Sequence, residues 1–485
     1  MNIYQKRNIF RRRDESSVYR MFFWVILILG GIWLIRSVRQ GDIKPLFLPT
    51  PTPTRFAQSY SIEGDALFTA GKLEDSTSVD GTVSPGAITA YREAAKVDPN
   101  NAEVWAKLAR IQTYSTALLV QKDEILVRLD EAMKSAEKAV EVNPDDSYAH
   151  AVYAFVMDWK ASYIEDERER QSLLRKAEEE AVRALQLDNA NTLALAYYAE
   201  VLVDQQKWTQ AQQYIEQALE RDSSLMDVHR VHAYVLESLS EYALAIEAYD
   251  RAIAITPNLT FLYLRAGAGY RRLAFESPNE EIQRQLYEKS LEYFAQTARI
   301  NEQLGVQDPV PYLSIAKTYS QMGEFFIAIR NVQKTIEFQP SKAEFYGELG
   351  ILYHKNRNYE TGILALKCAV RGCSPQESCD GRGGCGPNDT ESEVIGLELN
   401  AGTVYYYDVY ASELAALSTP KNSHCGEALA VAAEIEASEY DNDPNIAADI
   451  VVVRTICAFD SGGDTGVNTT TTPGLMDVTP IPTLK

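Results

Sequence analysis

No cysteine stands before residue 368, and no two of the six are spaced Cys-x-x-Cys. That excludes a dithiol redox centre, whose reactive thiolate depends on such a motif. Histidine is nearly as scarce. Of the five (His150, His229, His232, His354, His424), only His229 and His232 lie near one another. In register they face a helix-packing surface, so no metal site is expected. No Gly-x-Ser-x-Gly elbow, phosphate-binding loop or dinucleotide fingerprint occurs. Runs such as Glu178-Glu179-Glu180 sit in charge-rich helical sequence and read as a solvated face. The expectation is a chain that is not an enzyme, with no cofactor and no small-molecule substrate.

Glycine is modest, 26 residues against 28 tyrosines, which suits packed helices better than a sheet. Positive charge is in short supply, with a formal net charge of −21. Residues 1–40 hold eight basic and two acidic side chains, a balance of +6, so the remainder carries −27. Such a body repels phosphates, and no nucleic-acid partner is expected.

Long apolar runs are absent save one, the fifteen charge-free residues Met21–Ile35. With Arg20 and Arg36 snorkelling to the headgroups, 18–38 reaches 21 residues, against roughly 20 for a bilayer crossing. A cleaved signal peptide and a buried core helix are the rival readings. No Ala-x-Ala-like site follows, however, and Arg36 and Arg39 stand where cleavage wants small residues. No cysteine follows for a lipid anchor. Six basic residues precede the run, against Arg36, Arg39 and Lys44 after it. That bias places segment 1–17 in the cytoplasm and everything beyond the signal-anchor outside it. Residues 39–58 read as a linker, with Pro49 to Thr54 alternating Pro and Thr in extended polyproline geometry.

What the chain has in plenty is repetition. Thr192 to Ser223 and Met226 to Pro257 are one pattern written twice, 34 residues apart, with Ala199, Trp208, Ala211 and Ala218 matched by Ala233, Tyr242, Ala245 and Ala252. Each copy holds two helical patterns divided by a polar turn. A small first-helix residue recurs at Ala109, Ala154, Ala199, Ala233, Gly267, Ala316 and Gly350. Second-helix pairs recur at Ala132/Ala139, Ala177/Ala184, Ala211/Ala218, Ala245/Ala252, Ser290/Thr297, Ala328/Thr335 and Gly362/Ala369. Pro99, Pro144, Pro257 and Pro340 stop second helices, with Asn189, Ser223 and Glu302 where three more prolines would fall. Three steps measure 45 residues rather than 34; in the second and third repeats the additions, Ser115 to Glu131 and Lys160 to Lys176, are helix-compatible, so longer hairpins are expected there.

This pattern resembles the tetratricopeptide repeat, whose period is 34, in a membrane-anchored form of bacterial type. The resemblance implies an all-α superhelical solenoid with a single N-terminal transmembrane helix. Eight repeats are read over 59–373, a Cys/Gly-rich loop over 374–398, a ninth hairpin with a capping helix over 399–459, and a disordered tail over 460–485. In the family, first helices line a concave groove that holds extended peptides. Here that groove would present Tyr114, Tyr148, Phe155, Asp158 and Trp159, then Glu200, Asp204, Asp227, Arg230, Tyr234 and Glu237, then Phe261, Arg271, Arg272, Lys317, Glu344, His354 and Lys355. The basic end suggests a protein or peptide partner that is acidic. The family's chaperone-tail clamp pattern is missing and is not carried over. The implied role is a membrane-tethered scaffold, or an accessory subunit of an envelope secretion, assembly or cell-wall complex.

Cys425 opens one predicted helix and Cys457 nearly closes the next, so antiparallel packing brings them within disulfide reach. Cys368, Cys373, Cys379 and Cys385 could form two more bridges in three pairings. Zinc ligation fits these spacings poorly, and free thiols are the third option.

Overall fold

The computed structural model describes residues 17–39, 55–77, 82–119, 121–386, 389–419 and 421–460. The expectations for the basic segment, most of the Pro/Thr linker and the tail lie outside them. The chain divides into two units, Met1–Phe56 and Ala57–Lys485. In the first, α1 (Val18–Arg39) is a 22-residue helix whose described apolar side chains, Phe22, Trp24, Ile28 and Trp33 among them, are exposed. Among the described residues no helix is long and apolar enough to cross a membrane.

The second unit is a run of antiparallel helix pairs. They are α2/α3 (Ala57–Thr69, Ala87–Val97), α4/α5 (Ala102–Ser115, Lys122–Val142), α6/α7 (Ser147–Ala161, Glu167–Leu187) and α8/α9 (Thr192–Asp204, Trp208–Arg221). Then follow α10/α11 (Met226–Ser238, Tyr242–Ile255), α12/α13 (Thr260–Glu276, Glu280–Leu304), α14/α15 (Val310–Gln321, Phe325–Phe338) and α16/α17 (Ala343–Lys355, Tyr359–Val370). A short helix α18 (Pro375–Gly381) leads to α19/α20 (Val404–Ala416, Cys425–Glu436) and the terminal α21 (Pro444–Asp460). A small antiparallel hairpin, β1 (Ser76–Thr77) with β2 (Val83–Ser84), is inserted between α2 and α3.

Local chemistry accounts for the punctuation. Asn101, Asp146, Asn191 and Asn279 cap α4, α6, α8 and α13, each side chain accepting from amide N–H groups of the first turn. The turn inside the shorter hairpins needs a left-handed residue. Gly323 takes it without strain at φ 79°, whereas Gln206, Ser240 and Arg357 adopt φ 62°, 64° and 60°.

The small-residue ladder sits at the helix crossings. Ala109, Ala154, Ala199 and Ala233 are all fully buried, as are Ala132, Ala139, Ala177 and Ala184. At Gly267 a Cβ would come within 2.7 Å of the Phe294 ring, so that crossing accepts no side chain. The extra residues of the long repeats lengthen second helices: α5 and α7 run 21 residues and α13 runs 25, against 14 for α9, α11 and α15. Glu302, where a proline would have stopped the helix, lies inside α13, which continues to Leu304 and ends on left-handed Gly305 at φ 72°.

One reading is corrected. The loop expected over 374–398 contains α18. Ser374 and Glu377 form a reciprocal capping box and Pro375 opens the helix, so local hydrogen bonds outweigh the glycines that follow. The bridges are Cys368–Cys373, Cys379–Cys385 and Cys425–Cys457. The last joins α20 to α21 over a core of Val431, Ala432, Ile435, Ile450 and Val453.

Candidate functional site

Within the array, distant first helices meet. Arg110 on α4 donates to Asp227 on α10, 117 residues away, through Nε at 3.1 Å and through Nη2. Asp227 also accepts from the Tyr114 hydroxyl at 2.5 Å and the Tyr197 hydroxyl at 2.6 Å. Arg230, one helical turn further along α10, makes a fork–fork pair with Glu200 at 2.5 and 2.6 Å, and its Nε donates to Tyr114 at 3.0 Å. Its guanidinium lies over the rings of Tyr114, Phe155 and Trp159. Phe261 on α12 stacks on Tyr114 with centroids 5.8 Å apart and planes 8° from parallel. Nearby, Asn258 donates to the Ala70 carbonyl, 188 residues back. The concave face of the early repeats is therefore stitched shut by its own side chains.

Burial alone would raise the Asp227 carboxyl, but Arg110, Arg230 and the Tyr114 hydroxyl hold it well below the usual carboxylate range. Both arginines are held firmly charged by their buried partners, against the cost of desolvation.

Beside this seam lies a cavity of about 600 Å³. Its walls include Trp159, Tyr163, Tyr249 and Phe261, and its polar lining includes Asp158, Glu200, Asp204, Arg230 and Arg265. Glu200 is occupied by Arg230 and by the Trp159 indole N–H at 3.1 Å. Arg265 is occupied by Glu237 at 2.9 Å and by the Tyr249 hydroxyl. Asp158 and Asp204 are left facing each other within hydrogen-bonding range. Asp204 accepts from the Tyr234 hydroxyl, while Asp158, 1% exposed, has an Oδ1 that no donor reaches. Burial first, then the like charges of Asp204 and Glu200, push Asp158 well up. Burial is also the main cause that pushes Asp204 to about 6. The folded state thus holds a proton that the unfolded chain has released. On this pair's account stability falls as pH rises from the unfolded carboxylate range through about 6.

A family model described as tetratricopeptide repeat matches residues 198–260, within α8 to α12. Over that stretch the chain carries tetratricopeptide repeats. No curated protein matches this repeat protein in sequence. Among solved structures it is similar to TTC0263, a thermophilic TPR protein in Thermus thermophilus, at 18% identity over 44% of this chain and 98% of that one, with a TM-score of 0.34. It is similar to the human IFIT1 dimer with PPP-AAAA at 13% identity over 78% and 79% of the chains, with a TM-score of 0.49. YrrB, a TPR protein with an unusual peptide-binding site, is similar at 19% identity over 47% and 99%, with a TM-score of 0.31. No ligand or partner is carried over from them.

The structure divides the expected groove residues into two groups. Trp159, Arg230, Tyr234 and Phe261 line the cavity. Phe155 stacks on Tyr197 just behind it, with ring centroids 4.5 Å apart. Burial raises the Tyr148 phenol, which lies near Arg110 and Asp227. The basic group is not gathered there. Arg271 donates to the Ser314 carbonyl and lies over Phe294, Arg272 pairs with Glu276 at 2.7 Å, and Lys317 pairs with Glu348 at 3.1 Å. Lys355 reaches Ser320, and burial lowers its ammonium. Of these four, Arg272 and Lys317 meet carboxylates, while Arg271 and Lys355 meet neutral oxygens.

Arg110, Tyr197, Tyr249 and Arg265 escaped the sequence reading. A signal existed for the first. Arg110 stands one residue after Ala109, as Phe155, Glu200 and Tyr234 stand after Ala154, Ala199 and Ala233. The repeat register alone would have put it on the inner face.

Proposed function

We propose that the protein is a membrane-tethered scaffold that captures an extended segment of a protein partner at the cavity between α6, α8, α10 and α12, outside the cytoplasm. The cavity with its aromatic walls is the observation that carries this reading. A pre-formed apolar recess with a few fixed polar groups lowers the ordering cost of binding. The array provides recognition rather than catalysis, and the acidic lining disfavours nucleic acid. Arg272 and Lys317 already pair with Glu276 and Glu348, so an acidic partner would compete with contacts inside the fold. Panning the full chain against a displayed random-peptide library should enrich peptides whose affinity falls roughly tenfold, the scale for losing an aromatic contact, on Phe261→Ala. Circular dichroism should show helicity unchanged. Enrichment of nothing above background, or of peptides indifferent to that change, would overturn the reading.

The tether is inferred from the charge-free run Met21–Ile35 of the sequence and its basic flanks, and the exterior location from their charge bias. An accessory role in an envelope assembly is the second reading, favoured by the three bridges, which persist where thiols are oxidised. Alkaline carbonate should leave the chain in the membrane pellet, and protease added to intact cells should digest the array. An array protected until the cells are lysed reverses the orientation.

A further inference from the structure

We infer that the cavity is built to take an organic cation, a guanidinium or primary ammonium group, seated against Asp204 with Asp158 directly behind it. This rests on the capture reading for the source of the cation, but the chemistry is carried by the site itself.

Charge comes first. The cavity lining contains two guanidinium groups, and both are committed elsewhere: Arg230 to Glu200 through two hydrogen bonds, and Arg265 to Glu237. Asp308, also on the lining, accepts from the Asn301 amide at 2.9 Å and the Val310 N–H at 2.9 Å. Subtracting these pairs leaves Asp158 and Asp204 with no cation between them. Two carboxyls face to face are held by one shared proton at low pH, and once it leaves Asp204 keeps only the Tyr234 hydroxyl and no counter-charge between the pair.

The second observation is independent of the number of acids. Asp158 is buried, yet Oδ1 lacks any donor. Buried acceptors are paired in nearly all folded proteins, so an orphan beside a cavity marks a missing donor. Asp204 is only partly buried and forms the approachable side of the pair. A cation touching Asp204 relieves both carboxylates through Coulomb attraction that is weakly screened at this depth.

The walls select the kind of cation. Trp159, Tyr163, Tyr249 and Phe261 present aromatic surface around the carboxyl pair, and ring faces attract cations through their quadrupoles. The array already seats Arg230 among three such rings. Among the described residues no group of three or more His, Cys, Asp or Glu side chains is arranged to hold a metal ion. The favoured guest is thus a cation with an apolar stem, as in an arginine or lysine side chain or a free alkylamine.

The test is calorimetric titration of the full chain near neutral pH with three probes: end-blocked Gly-Arg-Gly, its citrulline counterpart, and free agmatine. At least one cationic probe should bind roughly tenfold more tightly than the neutral peptide. Asp204→Asn should abolish that preference while circular dichroism and the melting curve stay at or above wild type. Affinity for the cation should rise between about pH 5 and 7 as the pair gives up its shared proton, and the variant should lose that slope. Tighter binding of the peptide than of agmatine assigns the cation to a protein partner. Agmatine binding without peptide binding keeps the cation site and removes the peptide-capture reading. Equal affinity for arginine and citrulline peptides, or no binding of either cation at millimolar concentration, overturns the site.

Discussion

Asp227→Ala is expected to destabilise the array by about 3–5 kcal/mol, the cost of stranding a buried charge after deleting its partner. Asp227 is fully buried and satisfies three donors from two other helices, Arg110 and Tyr114 on the distant α4 and Tyr197 on the adjacent α8. Its removal leaves the Arg110 guanidinium against the rings of Phe68 and Tyr114 with no counter-charge. The same deletion removes three hydrogen bonds that join α4 to α10 and leaves that of Arg230 to Tyr114. The loss should therefore be local. Hydrogen exchange should show α4 and α10 unprotected while α16, α17 and α19 keep wild-type protection, because repeats couple chiefly to their neighbours. The double change Arg110→Met with Asp227→Leu should recover most of the stability, since no charge is then left unpaired. The sign with pH is fixed. Asp227 titrates well below its unfolded range, so its contribution is complete above about pH 4 and is lost only in acid. A change in denaturation midpoint equivalent to less than about 1 kcal/mol, within the range of an exposed pair, would contradict the role assigned to this carboxylate.

The repeat register was legible because it depends on local sterics. Each crossing needs a small side chain at a fixed place, and Ala199 and Ala233 show that place 34 residues apart. The turns were legible for the same reason. Contacts between α4 and α10 were not. They join residues more than 110 apart, and whether such residues meet depends on small rotations summed over two intervening hairpins. No pattern within one repeat encodes that sum. The basic residues show the complementary difficulty. Their placement on first helices was readable, but Lys317 meets Glu348 from the next repeat, a pairing set by inter-repeat spacing. Pairing and burial turned an imagined cationic patch into ordinary structure, while the neighbouring acids Asp158 and Asp204 were left without counter-charge. In α18, a capping box too local to show in a 34-residue period made a helix where glycines suggested none.

Removing the terminal bridge, as Cys425→Ser with Cys457→Ser, should cost about 4 kcal/mol, from the chain entropy of a 32-residue loop. The same relation gives only about 2 kcal/mol for Cys368–Cys373 and Cys379–Cys385, which close loops of 5 and 6 residues. Position amplifies the difference. Among the described residues α21 packs chiefly on α19 and α20 and is clipped to α20 by the bridge. Its outer face carries Val451, Val452 and Phe459 in the open, so packing there is incomplete. Without the bridge, α21 should fray first, exposing Ile435, Val431 and Ala428 on α20 and Tyr410 and Leu414 on α19. Limited proteolysis should then cut within α21 under conditions where the wild type resists, and a reductant should give the wild type the same cleavage pattern. The early repeats, with no cysteine before residue 368, should be indifferent to reductant. Wild-type resistance in the double variant would show that α21 is held by packing alone, and that the bridge adds nothing at the end of the array.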